Sequence, residues 1–504
     1  MSIRVTAALR AVALVAALAC AVGAQEHQHT AERLGTVHFA TSCRPEVAPA
    51  FDRAVALLHS FEFGASIQAF DQVLSSDSTC AMAYWGIALS RWTNPMSNSL
   101  RPPALLAQGR QAAMAAVRLA AVATPRERAY ADAVGRLYAD YEHVDQGTRV
   151  AAYERAMDAV VARAPADTEA KIFHALAVVA AAPATDKTYA GQRRAGALLE
   201  SLWVKQPDHP GLAHYIIHAY DVPALAPQAA AAARRYAAIA PSAAHALHMP
   251  SHTFTRVGDW EGSIETNRRS IEAAEHDGSI AEMLHASDYL EYAYLQLGRD
   301  ADAKAIVDGL PALAARFDPG AVTGAAPGSA GIFALAAIPA RYALERRAWA
   351  EAAALVPNAT AFPYAEAMTY LARALGASHT GALAVARSSV DSLAAIQARL
   401  AARGESYWAE QVAIQRLGAQ AALDLAEGRR ADALAHMREA ASREDATEKS
   451  AVTPGPIAPA HELLADMLLA LGQPTEALAE YRATLAKEPN RRHALDGARR
   501  AASR

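Results

Sequence analysis

Beyond its first two dozen residues the sequence lacks any run of about 18 uninterrupted apolar residues, so no segment of a processed chain is expected to span a bilayer. It lacks an excess of positive charge. The 48 Lys and Arg against 52 Asp and Glu give a formal charge of -4 spread along the chain. No basic stripe of the kind that phosphate backbones require is present, which excludes nucleic acid as an expected partner. Strict apolar/polar alternation is missing as well, which argues against strands. No Gly-rich phosphate loop of the P-loop or dinucleotide type occurs, nor a His-Glu-x-x-His metalloenzyme signature. Cysteine is scarce, with three residues in 504.

What is present begins with an export leader. Arg4 and Arg10 supply positive charge, and Ala11 to Val22 is an apolar run too short to cross a membrane. Val22-Gly23-Ala24 puts small residues at a cleavage site, so residues 1–24 read as a signal peptide and the expected location is periplasmic. Lipid anchoring through Cys20 is the alternative, with Ala17 where a Leu is usual. The processed terminus would read Gln25-Glu26-His27, and His27 and His29 are expected to be a polar leader rather than a metal chelate. Export leaves Cys43 and Cys80 as an even pair, for which a disulfide is expected, two buried free thiols being the other option.

Apolar residues make up 53% of the chain, and alanine dominates them, which favours closely packed helices. Apolar residues at helical spacing recur almost everywhere, broken by turns containing Pro, Gly or Asp. The breaks repeat. Pro207 and Pro241, each closing a second helix, are 34 residues apart. Near the C-terminus Leu464, Ala465 and Leu468 share one helix, Gly472 ends it, and Ala477, Leu478 and Tyr481 follow before Glu488-Pro489-Asn490. Ile67, Ala69, Phe70, Val73 and Leu74 repeat the layout on the second helix of the pair Ala50 to Ser78. These stretches resemble the tetratricopeptide repeat (TPR). The resemblance implies an all-α superhelical solenoid of roughly eight to ten antiparallel helix pairs at about 34 residues each. It is weak between Arg101 and Ala164. The chain divides on this reading into an N-terminal array, 25–310, a Gly/Ala/Pro connection, 311–331, and a C-terminal array, 332–504. A shorter Pro-rich interruption runs from Thr447 to Pro459. The segments Thr41-Ser42-Cys43, Cys80 to Gly86 and His245 to His252 are also similar to exported bacterial repeat proteins without an established activity.

Histidines are placed unusually. Six fall between His209 and His252. His214 and His218 are four apart on one helix, and His245, His248 and His252 have spacings of three and four on the next, so each set shares a helix face. Counting from Pro207 and Pro241 puts them at the second, fifth and ninth positions of first helices, which in the family this chain resembles line the concave groove. His285 and Asp288 occupy second and fifth positions one unit later, and Glu169 a second position one unit earlier. First helices of adjacent repeats pack about 8–10 Å apart, close enough for imidazoles to converge.

Neutral imidazole suits zinc and copper, with a nearby carboxylate orienting the rings. His214, His218, His248 and His252 are therefore candidate metal ligands, with Glu169, His245, His285 and Asp288 as further ligand-binding residues. The expected function is an exported binding scaffold with a His-lined groove, a transition metal being one occupant and a peptide, protein or small molecule the other. Two alternatives stay open: a hydrolase-like enzyme using metal-bound water with Glu169 or Asp288 as base, and a pure protein-interaction module. Histidines that merely satisfy one another would also fit. Ser251 and His252, as helix neighbours, point apart, so no Ser-His relay is expected and no catalytic residue is assigned. Pro250 should interrupt the helix that carries His248 and His252, and Met249, off the histidine face, is expected in the core. Trp85 and Trp92 fit either groove or core, and Arg341 with Glu345 reads as a helix-surface ion pair.

Overall fold

Helices here start and stop where side chains and glycines satisfy the free backbone groups. Asp167 accepts the Ala170 N–H at 3.1 Å and so begins the helix Thr168–Ala181 with Glu169 in its first turn. Thr124 and Glu127 form a reciprocal capping box. Gly258, at φ +73°, closes Pro250–Val257, with the Asp259 N–H returning to Phe254 O at 2.8 Å. The computed structural model describes residues 32–504. The leader, Cys20 and the expected terminus Gln25–His29 lie outside the described residues.

Among the described residues there are twenty-four α-helices and no strand. Ala244–His248 and Pro250–Val257 join through Met249, whose φ of -53° and ψ of -34° remain helical, and act as one. Eleven antiparallel pairs result, followed by the single helix Arg492–Ala502. The all-α helical-hairpin architecture is as expected, with more pairs than eight to ten. Part of the difference lies in the weakly patterned stretch after Arg101, which holds Pro103–Ala120, Pro125–Tyr138 and Gln146–Arg163. The first of them buries mainly small residues such as Ala112, Ala113 and Ala116, which pack closely with little hydrophobic contrast.

The connection after the seventh pair is shorter than 311–331. Helix Asp300–Arg316 continues through Pro311, which sits at an exposed interior position, and Gly328 already begins the next helix. The remaining residues 317–327 cross to the start of the chain, where the Gly64 N–H donates to Thr323 O at 2.6 Å. A Cβ on Gly64 would fall 2.6 Å from Val322 O, so only glycine permits the crossing.

The array also closes on itself. Tyr189 donates to Glu448 at 2.6 Å, Trp260 Nε1 to Asn490 O at 3.0 Å, and Ser99 meets Tyr364 at 2.7 Å. Residues 34–504 cluster as one compact unit. Cys43 and Cys80 are joined in a disulfide across 37 positions. Trp85 and Trp92 are core residues, Trp85 packing edge-on against Tyr130 and Phe173. Among the described residues no helix is long and apolar enough to cross a membrane.

Candidate metal centre

Helix Pro210–Ala219 starts with Pro at its first position and packs against Ala48–His59. The approach is close enough that a Cβ on Gly211 would lie 2.4 Å from His59 Nδ1. That proximity turns His214 and His218 into the interior, beside His245 of the next repeat. Ring centroids are 4.7 Å apart for His214–His218 and 5.0 Å for His214–His245. One ring nitrogen from each of the three lies within 4.8 Å of the others.

Two of the outer nitrogens are anchored. His214 Nδ1–H donates to the His59 carbonyl at 2.6 Å. His245 Nδ1–H donates to Glu282 at 3.0 Å, whose other oxygen accepts the Ala326 N–H at 2.9 Å. A carbonyl and a carboxylate can only accept, so in neutral rings both Nε2 atoms carry lone pairs. The Nε2 atoms of His214, His218 and His245 are buried and have no hydrogen-bond partner.

A second triad continues from the first. Because Met249 keeps helical geometry, Pro250 does not rotate His252 away from His248, and their Nε2 atoms meet at 3.1 Å. His285 completes the group, its ring 4.6 Å from that of His248. His248 Nδ1–H donates to Asn267 Oδ1 at 2.7 Å, and the Asn267 amide is oriented by its own bond to Ser263 O. His252 Nδ1–H donates to Asp221 at 2.9 Å. Met249 is buried in the core, as expected. Ser251 Oγ lies 3.5 Å from His248 Nδ1.

A third group adjoins the first through the His59 carbonyl. His59 and His209 each give Nε2–H to one oxygen of Glu169, both at 2.9 Å, and His59 Nδ1 accepts from Tyr215 at 3.0 Å. Burial works against the Glu169 charge, but the two imidazoles hold the carboxyl below the usual range.

Burial pushes His214, His218 and His248 well below the ordinary histidine pKa, and takes His285 down to about 3. His252 is lowered by burial despite Asp221. Asp221 stays ionised against its own burial because Lys449 and Arg256 flank it. Beside Glu282, burial and the neighbouring charge raise Glu62 to about 8, so it is protonated at neutral pH while accepting the His245 backbone N–H.

The histidine face is not an open groove. All six imidazoles are buried, and residues 446–459, the connection before Ala460–Ala470, pack beside Tyr289 and Asp221 at the second triad, while Phe61 covers His214 and His245. Tyr289 donates to Ala451 O and Thr453 O at 3.1 and 3.0 Å, and Lys449 reaches Asp221 at 3.5 Å. A cleft of about 320 Å³ borders this cover, lined in part by Lys187, Arg256, Tyr407 and Glu448.

The four histidines read from the sequence as one ligand set divide in the structure, His214 and His218 going with His245, and His248 and His252 with His285. Glu169 serves His59 and His209 instead of flanking the central five. Asp288 faces Arg341 at 3.4 Å, not the imidazoles, and burial raises it to about 6. Arg341 and Glu345 are not a surface pair. Arg341 is fully buried against Asp288 and Glu291, and Glu345 pairs with Arg491 at 2.6 Å. Sequence reasoning missed His59, Asn267, Glu282, Asp221 and Lys449 as partners. Glu282 alone had a local signal, lying three residues before His285 on one helix face.

No family model matches the chain, and no curated protein matches it. Solved structures match over most of its length at low similarity. The Cut9–Hcn1 hetero-tetramer of the APC/C has a chain with 10% identity, covering 95% of this chain and 79% of its own, at a TM-score of 0.38. Yeast Tom70 has 11% identity over 91% and 95%, at 0.37. Human IFIT1, solved as a dimer with PPP-AAAA, has 11% identity over 92% and 95%, at 0.39. The TPR domain of P58(IPK) overlaps at 0.24 with 11% identity, over 91% and 98%. Overlaps of this size carry no functional inference, and the resemblance to exported bacterial repeat proteins stands on the sequence alone.

Proposed function

We propose that this chain is a metal-binding helical-repeat protein in which His214, His218 and His245 hold a transition metal ion, zinc or copper. The supporting observation is the trio of buried Nε2 atoms without a partner. Buried polar atoms are nearly always satisfied, and an unsatisfied one calls for an occupant or an explanation. Pinning Nδ1–H to a carbonyl or carboxylate is how proteins orient imidazole ligands towards a metal. The helical-hairpin scaffold also suits an interaction module, and its cleft beside the cover is open to a partner. Burial of His214, His218 and His245 favours a held ion over an extended peptide track or a hydrolase that admits substrate to metal-bound water.

Action outside the cytoplasm, in the periplasm, belongs to the same reading. The leader pattern Arg4 to Ala24 and the Cys43–Cys80 disulfide support it.

Full-length protein made without an affinity tag and dialysed against zinc or copper should retain at least about one ion per chain by plasma mass spectrometry. His214→Ala and His245→Ala should lower that content while the helical circular dichroism persists. Wild-type protein holding less than about a tenth of an ion per chain defeats the proposal.

A further inference from the structure

The second triad makes a different demand. Asn267 is oriented by Ser263, so the oxygen it turns to His248 obliges Nδ1 to be the donor. Asp221 obliges the same of His252 Nδ1. In neutral rings both Nε2 atoms then carry lone pairs, and these face each other at 3.1 Å inside the protein. Something positive must lie between them. The candidates are a proton on one ring or a metal ion. Two zinc–nitrogen bonds of about 2.0–2.1 Å at a tetrahedral angle separate their nitrogens by about 3.3–3.4 Å, close to the spacing found. A proton shared by His248 and His252 would leave His285 Nδ1, which is buried without a partner, unexplained. An ion would use all three imidazoles, since one nitrogen from each lies within 4.8 Å of the others.

We propose that His248, His252 and His285 form a second metal site for a zinc- or copper-class ion, so that the six imidazoles make a two-ion, all-histidine centre. The proposal rests on the reading of the first triad as a metal site, and extends it. His245 and His248 lie with ring centroids 5.8 Å apart, and His218 and His252 6.0 Å apart, so the two ions would be neighbours within one cavity wall. Asn267 and Asp221 act as positioning residues, fixing which ring nitrogen is offered.

Zinc titration of the full-length untagged chain, followed by removal of free metal and elemental analysis, should give about two ions per chain. His285→Ala and His252→Ala should each leave about one, as should His245→Ala on the other triad. His285→Gln, which keeps a polar side chain of smaller disturbance, serves if the alanine variants lose their helical signal, and it should also leave about one. Saturation of the wild type at one ion, with His285→Gln unchanged, would overturn the second site and leave the first intact. No bound ion in the wild type would overturn both.

Discussion

Two buried polar clusters of this molecule solve the problem of burial in opposite ways. Around Arg491, opposite charges are gathered: the guanidinium meets Glu462 at 2.7 and 3.0 Å, Glu345 at 2.6 Å and the Tyr292 hydroxyl at 2.8 Å. In the histidine cluster four rings are pinned through Nδ1, yet the Nε2 atoms of His214, His218 and His245 and the Nδ1 of His285 are left without partners. Burying polar atoms unsatisfied costs stability, and that cost is what the proposed ion would offset. The contrast separates a cluster that holds the C-terminal helices to the array from the one for which we propose a bound metal.

Acid should separate the two clusters most strongly. His214, His218, His248, His252 and His285 have pKa values lowered by burial. Below pH about 6.5 the unfolded chain takes up protons at these positions and the folded chain does not. Stability of the metal-free protein should therefore be fully present above pH about 6.5 and fall as pH drops. Each such histidine contributes about 1.4 kcal/mol per pH unit until its folded pKa is reached. Urea unfolding of chelator-treated protein at pH 7, 6 and 5 would measure this. A flat profile over that range would contradict the buried neutral imidazoles.

Breaking the satisfied cluster comes next in size. Arg491→Ala strands Glu345, Glu462 and Glu488 in the interior, and should cost about 3–5 kcal/mol of unfolding free energy. Its bound-metal content should match the wild type once folded, which a denaturant curve together with elemental analysis would establish. The smallest effect is expected from Gly211→Ala. Its Cβ would crowd His59 Nδ1 from 2.4 Å, at a cost of about 1–3 kcal/mol, and displace the carbonyl that holds His214. Zinc affinity measured by competition with a chromophoric chelator should weaken relative to wild type. Unchanged affinity would show that His59 does not position the first triad.

Legibility followed the range of the interactions. Apolar periodicity, Gly258 and Gly298, and the Pro207–Pro241 interval act over a few residues or one repeat, so helices and their pairing could be read directly. Alanine hid part of the array between Arg101 and Ala164, since a small side chain gives a weak hydrophobic pattern while packing as tightly as any other. His214 with His218, and His248 with His252, were visible because four residues make one helical turn. The expected helix break at Pro250 costs a backbone bond but not the face, because Met249 stays helical.

By itself the sequence determined that this protein is all helical, built from hairpins, with imidazoles presented on one face of adjacent repeats. Only the tertiary structure decided that the face is closed, that six imidazoles sort into two triads, and which nitrogen of each ring points inward. Those outcomes depend on His59, Asp221, Asn267, Glu282 and the cover at 446–459, which reach the site from up to about two hundred residues away. Apart from Glu282, three residues before His285, no local spacing encodes such partners. Burial then does the rest, because a ring nitrogen that would be solvated in an open groove loses that water once enclosed.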